Sequence, residues 1–390
     1  MAHISTEAIH GHDYYDVETG TFKVPLYLST IFEHPDRRTG EARKSDRGFE
    51  LKYSREENPT VRAFERVMEK LEEGLHSLAF SSGMASIAAA YLSALGAGDE
   101  VVIAKESYGT TQELALKLGR FGVRTVLAGP DTEDFIEKIN SGVSLALVET
   151  ITNPQARVVD VRRIAKRCLE TGTKLVVDNT FATPVLYRPL LDGAWLALHS
   201  VTKYIGGHND VVGGAVVLND RVDLNNLWDL RRMVGSIMGP FESYLALRGA
   251  GTLKVRFETQ SESALALAEF LEDHPRVKEV SYPGLTTSPY HSTAGALFGC
   301  DLYGGLLSFK VRGGKEEALS VLRKVRVIKP SPSLGGTESL LSYPLTSASK
   351  TIAPDVRREL GIGDDLLRLA LGLEDVEDLK EDLSQALSAA

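Results

Sequence analysis

The sequence predicts an α/β protein in which a mostly parallel sheet, covered by helices on both faces, is followed by a smaller C-terminal α/β domain. Three observations carry this. Short β-rich runs alternate with helical stretches through the middle of the chain. Those runs are apolar on nearly every residue, as strands buried on both faces are. The 390 residues also exceed the usual domain of about 150, enough for two or three domains or one large α/β unit.

Taken in order, residues 1–52 are polar and aperiodic, with VPLYLSTIF as the one apolar run. They are expected to form an arm packed on a neighbouring subunit, with a poorly ordered terminus as the alternative. A helical period then runs through VRAFERVMEKLEE, where Thr60 is placed to cap the first turn and Gly74 follows the last. The strand-like runs are VVIA at 101–104, RTVLA at 124–128, LALVE at 145–149, KLVVD at 174–178, WLALH at 195–199 and GAVVL at 214–218. Ligands of such sheets gather at the carboxyl ends of strands, and these ends carry Glu149, Asp178 and His199. Residues 53–250 are therefore expected to form the large domain. From about 251 to 390, a long helix (RFETQSESALALAEFLED), KEVSY, GLLSFKV, the helix KEEALSVLRKV, LLRLALG and a closing helix predict the smaller one.

Charge and composition narrow the partners. There are 44 Lys and Arg against 53 Asp and Glu, a net charge of −9, with no basic block. A nucleic-acid surface or polybasic membrane anchor is disfavoured, and small polar molecules are the expected ligands. The N-terminus lacks the pattern of a secretory signal, and no stretch is apolar enough to span a bilayer, so a cytoplasmic location is expected. Cys168 and Cys300 belong to no CxxC and suggest neither a zinc site nor a disulfide.

Three segments could carry chemistry. In LHSVTKYIGGHNDVVGG, Lys203 follows a strand among small and hydroxyl residues. A partly desolvated lysine falls below its usual pKa and can form a Schiff base with an aldehyde, while Ser200 and Thr202 can bond phosphate oxygens. The bland alternative is a solvated surface loop. In FSSGMASIAAAYLSAL, Ser-Ser-Gly-Met opens an apolar helix whose free amides form an anion site, with Gly83 permitting close approach; simple N-capping by Ser81 or Ser82 explains the same residues. In KLVVDNTFATP, Asp178 ends an apolar strand, where a semi-buried carboxylate wants a cation such as the protonated ring nitrogen of pyridoxal phosphate (PLP), or simply caps the next turn. His199 and His208 flank Lys203 without a carboxylate or cysteine at ligand spacing and are left structural, so no metal site is expected.

Phosphate grip, strand-end Asp and Lys, in that order, resemble the fold-type I PLP enzymes. The chain is more closely similar to the Cys/Met metabolism family, which holds cystathionine γ-synthase, γ-lyase and β-lyase and methionine γ-lyase. The resemblance rests on YSREENPT at 53–60, SSGMASI at 81–87, SYGTT at 107–111, ETITNP at 149–154, VVDNTFATP at 176–184, HSVTKYIGGHNDVVGG at 199–214, SLGGTESL at 333–340 and RLALGLEDVEDL at 368–379. It implies an aminotransferase-like fold with a seven-stranded, mostly parallel sheet. It also implies that Lys203 is the Schiff-base lysine and proton shuttle and that Asp178 pairs with the ring nitrogen. Gly83, Met84, Ser200 and Thr202 would hold the phosphate, and Tyr53 and Arg55 would complete that site from the adjacent subunit. Tyr108 would stack on the ring and assist proton transfer. Asn153 would contact the ring hydroxyl, and Arg368, with Asn153 and Ser333 nearby, would bind the substrate carboxylate.

The resemblance further implies a homotetramer, a dimer of active dimers, acting on small amino-acid substrates of sulfur metabolism. The expected reaction is γ-replacement on an O-acylhomoserine by cysteine to give cystathionine. The alternatives are γ-elimination of cystathionine, the methionine γ-lyase or β-lyase reactions, or a non-catalytic PLP-binding protein. NPT after Tyr53 favours the γ-synthase and γ-lyase branch, and Thr110 stands where methionine γ-lyases carry a reactive cysteine. Pro332 precedes Ser333 where many relatives have Glu, and Glu57 replaces a small residue near the inferred subunit-shared site; both hint at altered specificity.

Overall fold

A computed structural model of the protein describes residues 3–389. Its larger sheet contains β1 (His76–Phe80), β2 (Glu100–Ala104), β3 (Arg124–Ala128), β4 (Leu145–Glu149), β5 (Lys174–Asp178), β6 (Leu196–Ser200) and β7 (Gly214–Leu218). The spatial order is β1-β7-β6-β5-β4-β2-β3. Strand β7 runs against its two neighbours, and every other pairing is parallel. The apolar runs follow from burial on both faces. Val176, Leu196, Leu198 and Val216 pack with Ile87 and Ala90 of the helix Gly83–Ala94, whereas Val177, Ala197 and Val217 pack with Phe64, Val67 and Leu71 of the helix Pro59–Glu72.

Six of these strands coincide with the apolar runs. The seventh, β1, begins with His and Ser and lies at the sheet edge, paired with β7 alone, so its composition is weaker than that of the central strands. The cap of the first long helix also differs from expectation. Asn58, not Thr60, is the N-cap, accepting the Thr60 N–H at 2.9 Å, while the Thr60 hydroxyl donates to the Pro25 carbonyl at 2.8 Å. Thr60 thus ties the preceding segment down instead of capping.

The smaller sheet contains β8 (Val277–Ser281), β9 (Leu306–Val311), β10 (Lys329–Pro330), β11 (Leu340–Ser342) and β12 (Leu366–Ala370), in the order β10-β11-β12-β9-β8. The long helix Leu253–Glu272 packs on β8 and β9 and buries Phe257, Ala264, Leu267 and Leu271. In register, Arg368 of β12 lies between Ser342 of β11 and Ser308 of β9, which places its side chain in the interior.

The N-terminal segment is not uniformly detached. Its helix Ile4–His10 packs on Pro59–Glu72 of the same chain and buries Ala8, whereas Tyr15, Val17, Phe22, Leu28 and Ile31 are exposed. Residues 47–57 are anchored by a buried ion cluster. Arg47 meets Glu57 at 2.8 Å and Glu65 at 2.6 Å, and Arg231 meets Glu65 at 2.6 Å. Removing one partner from such a cluster leaves an uncompensated buried charge and costs about 3–5 kcal/mol.

Candidate active site

Strands β4, β5 and β6 end along one edge of the sheet, so their last residues, Glu149, Asp178 and Ser200, lie side by side; Glu149 and Asp178 are direct register partners. Over this edge is a cavity of about 480 Å³, a size suited to a cofactor with a small substrate. Its walls include Gly83, Met84, Tyr108, Asn153, Asp178, Ser200, Thr202, Lys203, Ser333 and Arg368, which are ten of the twelve residues named from sequence. The other two, Tyr53 and Arg55, lie outside it on the surface, where the Arg55 guanidinium sits 5.3 Å from the Tyr53 ring centroid.

Lys203 follows β6 in a tight turn, its N–H donating to the Ser200 carbonyl at 3.1 Å. Its Nζ reaches across to the smaller domain and donates to the Ser333 hydroxyl at 3.1 Å. Burial, with the nearby Arg368 charge, pushes the amine down to about 8. A neutral, nucleophilic amine is therefore available near neutrality.

Ser82 caps the helix Gly83–Ala94 by accepting the Ala85 N–H at 3.1 Å, so the capping alternative holds for Ser82 itself. Gly83 and Met84 are the first residues of that helix, where backbone amides have no helical acceptor. A Cβ on Gly83 would lie 2.9 Å from the Ser200 Cβ, so only glycine lets this helix start approach the end of β6. Thr202 is fixed beside them, its Oγ1 accepting the Gly213 N–H at 3.0 Å.

Asp178 is held from one side. The Thr180 N–H donates to its Oδ1 at 3.1 Å, and the Thr180 hydroxyl also donates to it while accepting the Ser200 N–H at 2.8 Å. Burial raises the carboxyl above its ordinary range, opposed by the Thr180 hydrogen bonds and by His199. The residue is poised to pair with a cation. His199 lies beneath the sheet edge in a buried network, its Nε2 2.6 Å from Glu72 Oε1, and the His208 ring contacts the Gly206 carbonyl at 2.8 Å.

Arg368 is fully buried, with Nη1 donating to Asn153 Oδ1 at 3.0 Å and Nη2 donating to the Pro332 and Ser333 carbonyls at 2.6 and 3.0 Å. Its Nε has no acceptor among the described residues. A buried guanidinium that lines a cavity is suited to a carboxylate.

Sequence reasoning missed Thr180 and gave Glu149 no role beyond its place at a strand end. Thr180 was readable as a hydroxyl two residues beyond the strand-end Asp, the spacing of an Asx-type turn. Glu57, near the inferred shared site by position, is instead buried against Arg47 and the Trp228 Nε1–H, which donates at 2.9 Å; its part is structural. The Pro332 side chain does line the cavity.

These donors fit PLP: helix-start amides and hydroxyls for a phosphate, a carboxylate for a ring nitrogen, and a desolvated amine for an aldehyde. Among the described residues no cluster of three or more His, Cys, Asp or Glu side chains is arranged to hold a metal ion.

Comparison with known proteins agrees with this chemistry. The chain is 42% identical over 385 residues to the cystathionine γ-synthase of Mycobacterium tuberculosis, covering 98% of this chain and 96% of that protein. It is 38% identical over 387 residues to the cystathionine γ-lyase of Bacillus subtilis, with 98% of each covered. The crystal structure of metB from Corynebacterium glutamicum superposes with a TM-score of 0.93 at 38% identity, covering 100% of this chain and 98% of that one. A lysine, an aspartate and a helix start whose chemistry fits PLP are thus accompanied by a match of residues 5–388 to the family described as Cys/Met metabolism PLP-dependent enzyme, and the chain belongs to that family.

Proposed function

We propose that the protein catalyses γ-replacement on an O-acylhomoserine, with cysteine as the incoming thiol and cystathionine as product. The similarity to the mycobacterial cystathionine γ-synthase over nearly the whole of both chains carries this reading. PLP supplies an aldehyde for the substrate amine and a ring that takes up the electrons left when Cα is deprotonated. Arg368, a wall of the cavity, holds the substrate carboxylate, and Asn153 and Ser333 border the same space. Asp178 keeps the ring nitrogen protonated. The Lys203 amine would remove the Cα proton and then a Cβ proton, the acylate would leave Cγ with the electrons of its C–O bond, the cysteine sulfur would bond to Cγ as its thiol proton is given up, and the two protons would be returned to Cβ and Cα. Tyr108, at the cavity wall, assists proton transfer.

Tyr53 and Arg55 are assigned to the phosphate site of a second copy, supported by their surface position outside their own cavity and by the exposed apolar residues of 15–31. A homotetramer built from two such dimers is the corresponding assembly. A cytoplasmic setting is part of the same proposal; among the described residues, no helix is long and apolar enough to cross a membrane.

A γ-lyase is the second reading, favoured by the similarity to the Bacillus subtilis γ-lyase. Product analysis with L-cystathionine alone separates them. Release of 2-oxobutyrate and cysteine identifies the γ-lyase, and pyruvate with homocysteine a β-lyase. No cleavage by PLP-loaded protein, followed by cystathionine formation from O-acylhomoserine plus cysteine, supports the synthase.

A further inference from the structure

Two carboxyls line the cavity, and the reaction as derived uses one. Asp178 answers the ring nitrogen; Glu149, its register partner on β4, has no task. Placing a second acid there is unfavourable, since burial and the Asp178 charge both raise Glu149 well above the ordinary carboxyl range. Glu149 nevertheless makes one short bond, its Oε1 accepting the Tyr108 N–H at 2.6 Å. The backbone amides of Tyr108 and Asn153 both favour its charged form.

Tyr108 opens the helix Gly109–Lys117 and has no side-chain cap of its own. On the far side, Gly109 is pressed against residues 348–351, where a Cβ would meet Thr351 Oγ1 at 2.2 Å and the Ala348 carbonyl at 3.1 Å. The Tyr108 backbone is therefore clamped between the end of β4 and this turn, while its side chain lines the cavity and is 42% exposed.

We propose that Glu149 is a positioning residue for the cofactor: its carboxyl pins the Tyr108 backbone to the end of β4 and so sets where the Tyr108 ring meets a ring bound over Asp178. The inference rests on Lys203 and Asp178 being the anchors of PLP. It does not depend on whether the enzyme is a synthase or a lyase.

The test compares Glu149→Ala, Glu149→Gln, Tyr108→Ala and the double variant Glu149→Ala/Tyr108→Ala. The readouts are the PLP dissociation constant, the visible circular dichroism of bound PLP, which reports ring orientation, and the melting temperature without PLP. Glu149→Ala is expected to weaken PLP binding about tenfold and reduce the visible dichroism. Glu149→Gln keeps a carbonyl oxygen for the Tyr108 N–H and is expected to stay within about twofold of the parent. In the Tyr108→Ala background, Glu149→Ala is expected to add less than about twofold, because the two act as one unit. A full tenfold loss in that background, or a Gln variant as weak as the Ala variant, overturns the proposal. So does a change confined to the melting temperature. If Glu149→Ala does not fold, Glu149→Gln decides alone: dichroism like the parent's supports the proposal, and its loss refutes it. A parent protein whose PLP absorbance is unchanged by Lys203→Ala would instead overturn the placement of the cofactor.

Discussion

The Lys203 amine offers the sharpest quantitative test. With its pKa lowered to about 8, about one molecule in ten carries a neutral amine at pH 7. An exposed lysine near 10.4 would have about four in ten thousand, so the environment of the cavity multiplies the reactive fraction by about 230-fold, on the order of 10². The rate of PLP uptake by PLP-free protein, followed by stopped-flow absorbance, should rise with pH, reach half its maximum near pH 8 and level off above about pH 9. Removing the nearby charge with Arg368→Met should move the plateau to higher pH without reaching 10.4, since burial is the larger cause and remains. The same shift bears on stability. Between pH 8 and about 10.4 the unfolded chain binds the proton that folded Lys203 has lost, so stability rises with pH through that window. Below it the buried amine costs at most about 3 kcal/mol. PLP-free Lys203→Met should therefore be more stable than the parent in urea at pH 7, with the gap closing above about pH 10. An uptake rate that climbs without a break to pH 10 would refute the desolvated-amine argument.

Other variants test the walls of the site. Arg368→Gln removes a charged donor from the carboxylate position and should lower kcat/KM by about 10²-fold or more, mainly through KM in steady-state kinetics. Gly83→Ala drives a methyl group to 2.9 Å from the Ser200 Cβ and should weaken PLP binding about tenfold or more, measured by equilibrium dialysis. Glu106, fully buried beside Arg157, is pushed up to about 7 by burial. Its folded pKa exceeds the unfolded one, so it lowers stability as pH rises from about 4.5 to 7; the difference between Glu106→Gln and the parent in urea unfolding should move towards the variant by up to about 3 kcal/mol across that window. Pro332→Glu places a carboxylate at the cavity wall and should shift the preference towards substrates with a distal amino group; an unchanged ratio of kcat/KM values would remove Pro332 from the specificity argument.

The apolar runs announce the central strands because a strand covered on both faces must be apolar throughout. That rule does not reach every strand. HSLAF opens on two polar residues, LLS is only three residues long, and Lys329–Pro330 is exposed, so β1, β10 and β11 carry little pattern of their own and exist through their partners. Asn58 took the cap expected of Thr60 for a related reason: the choice depended on where Pro25 lies, 35 residues away.

The site was legible to the extent that it is local. Lys203 with its hydroxyls, the helix start at Gly83 and the strand-end Asp178 are each a short segment whose chemistry stands in the residues themselves. What the residues do not show by themselves, and only the family resemblance supplied in part, is held by register and long-range pairing. Arg368 reaches Asn153 across 215 positions, and Lys203 reaches Ser333 across 130. Glu149 meets Tyr108 only because β4 ends level with the start of the helix Gly109–Lys117. The buried ion cluster shows the converse. Glu57 looked like a specificity residue by its position next to the Asn-Pro-Thr turn, yet Arg47 and Trp228 draw it into the interior. Its substitution should therefore register in stability before it registers in substrate choice: Glu57→Ala should destabilise by about 3–5 kcal/mol. In the protein that remains folded, the ratio of kcat/KM values between competing substrates should stay at the parental value, and a changed ratio would return Glu57 to the specificity argument.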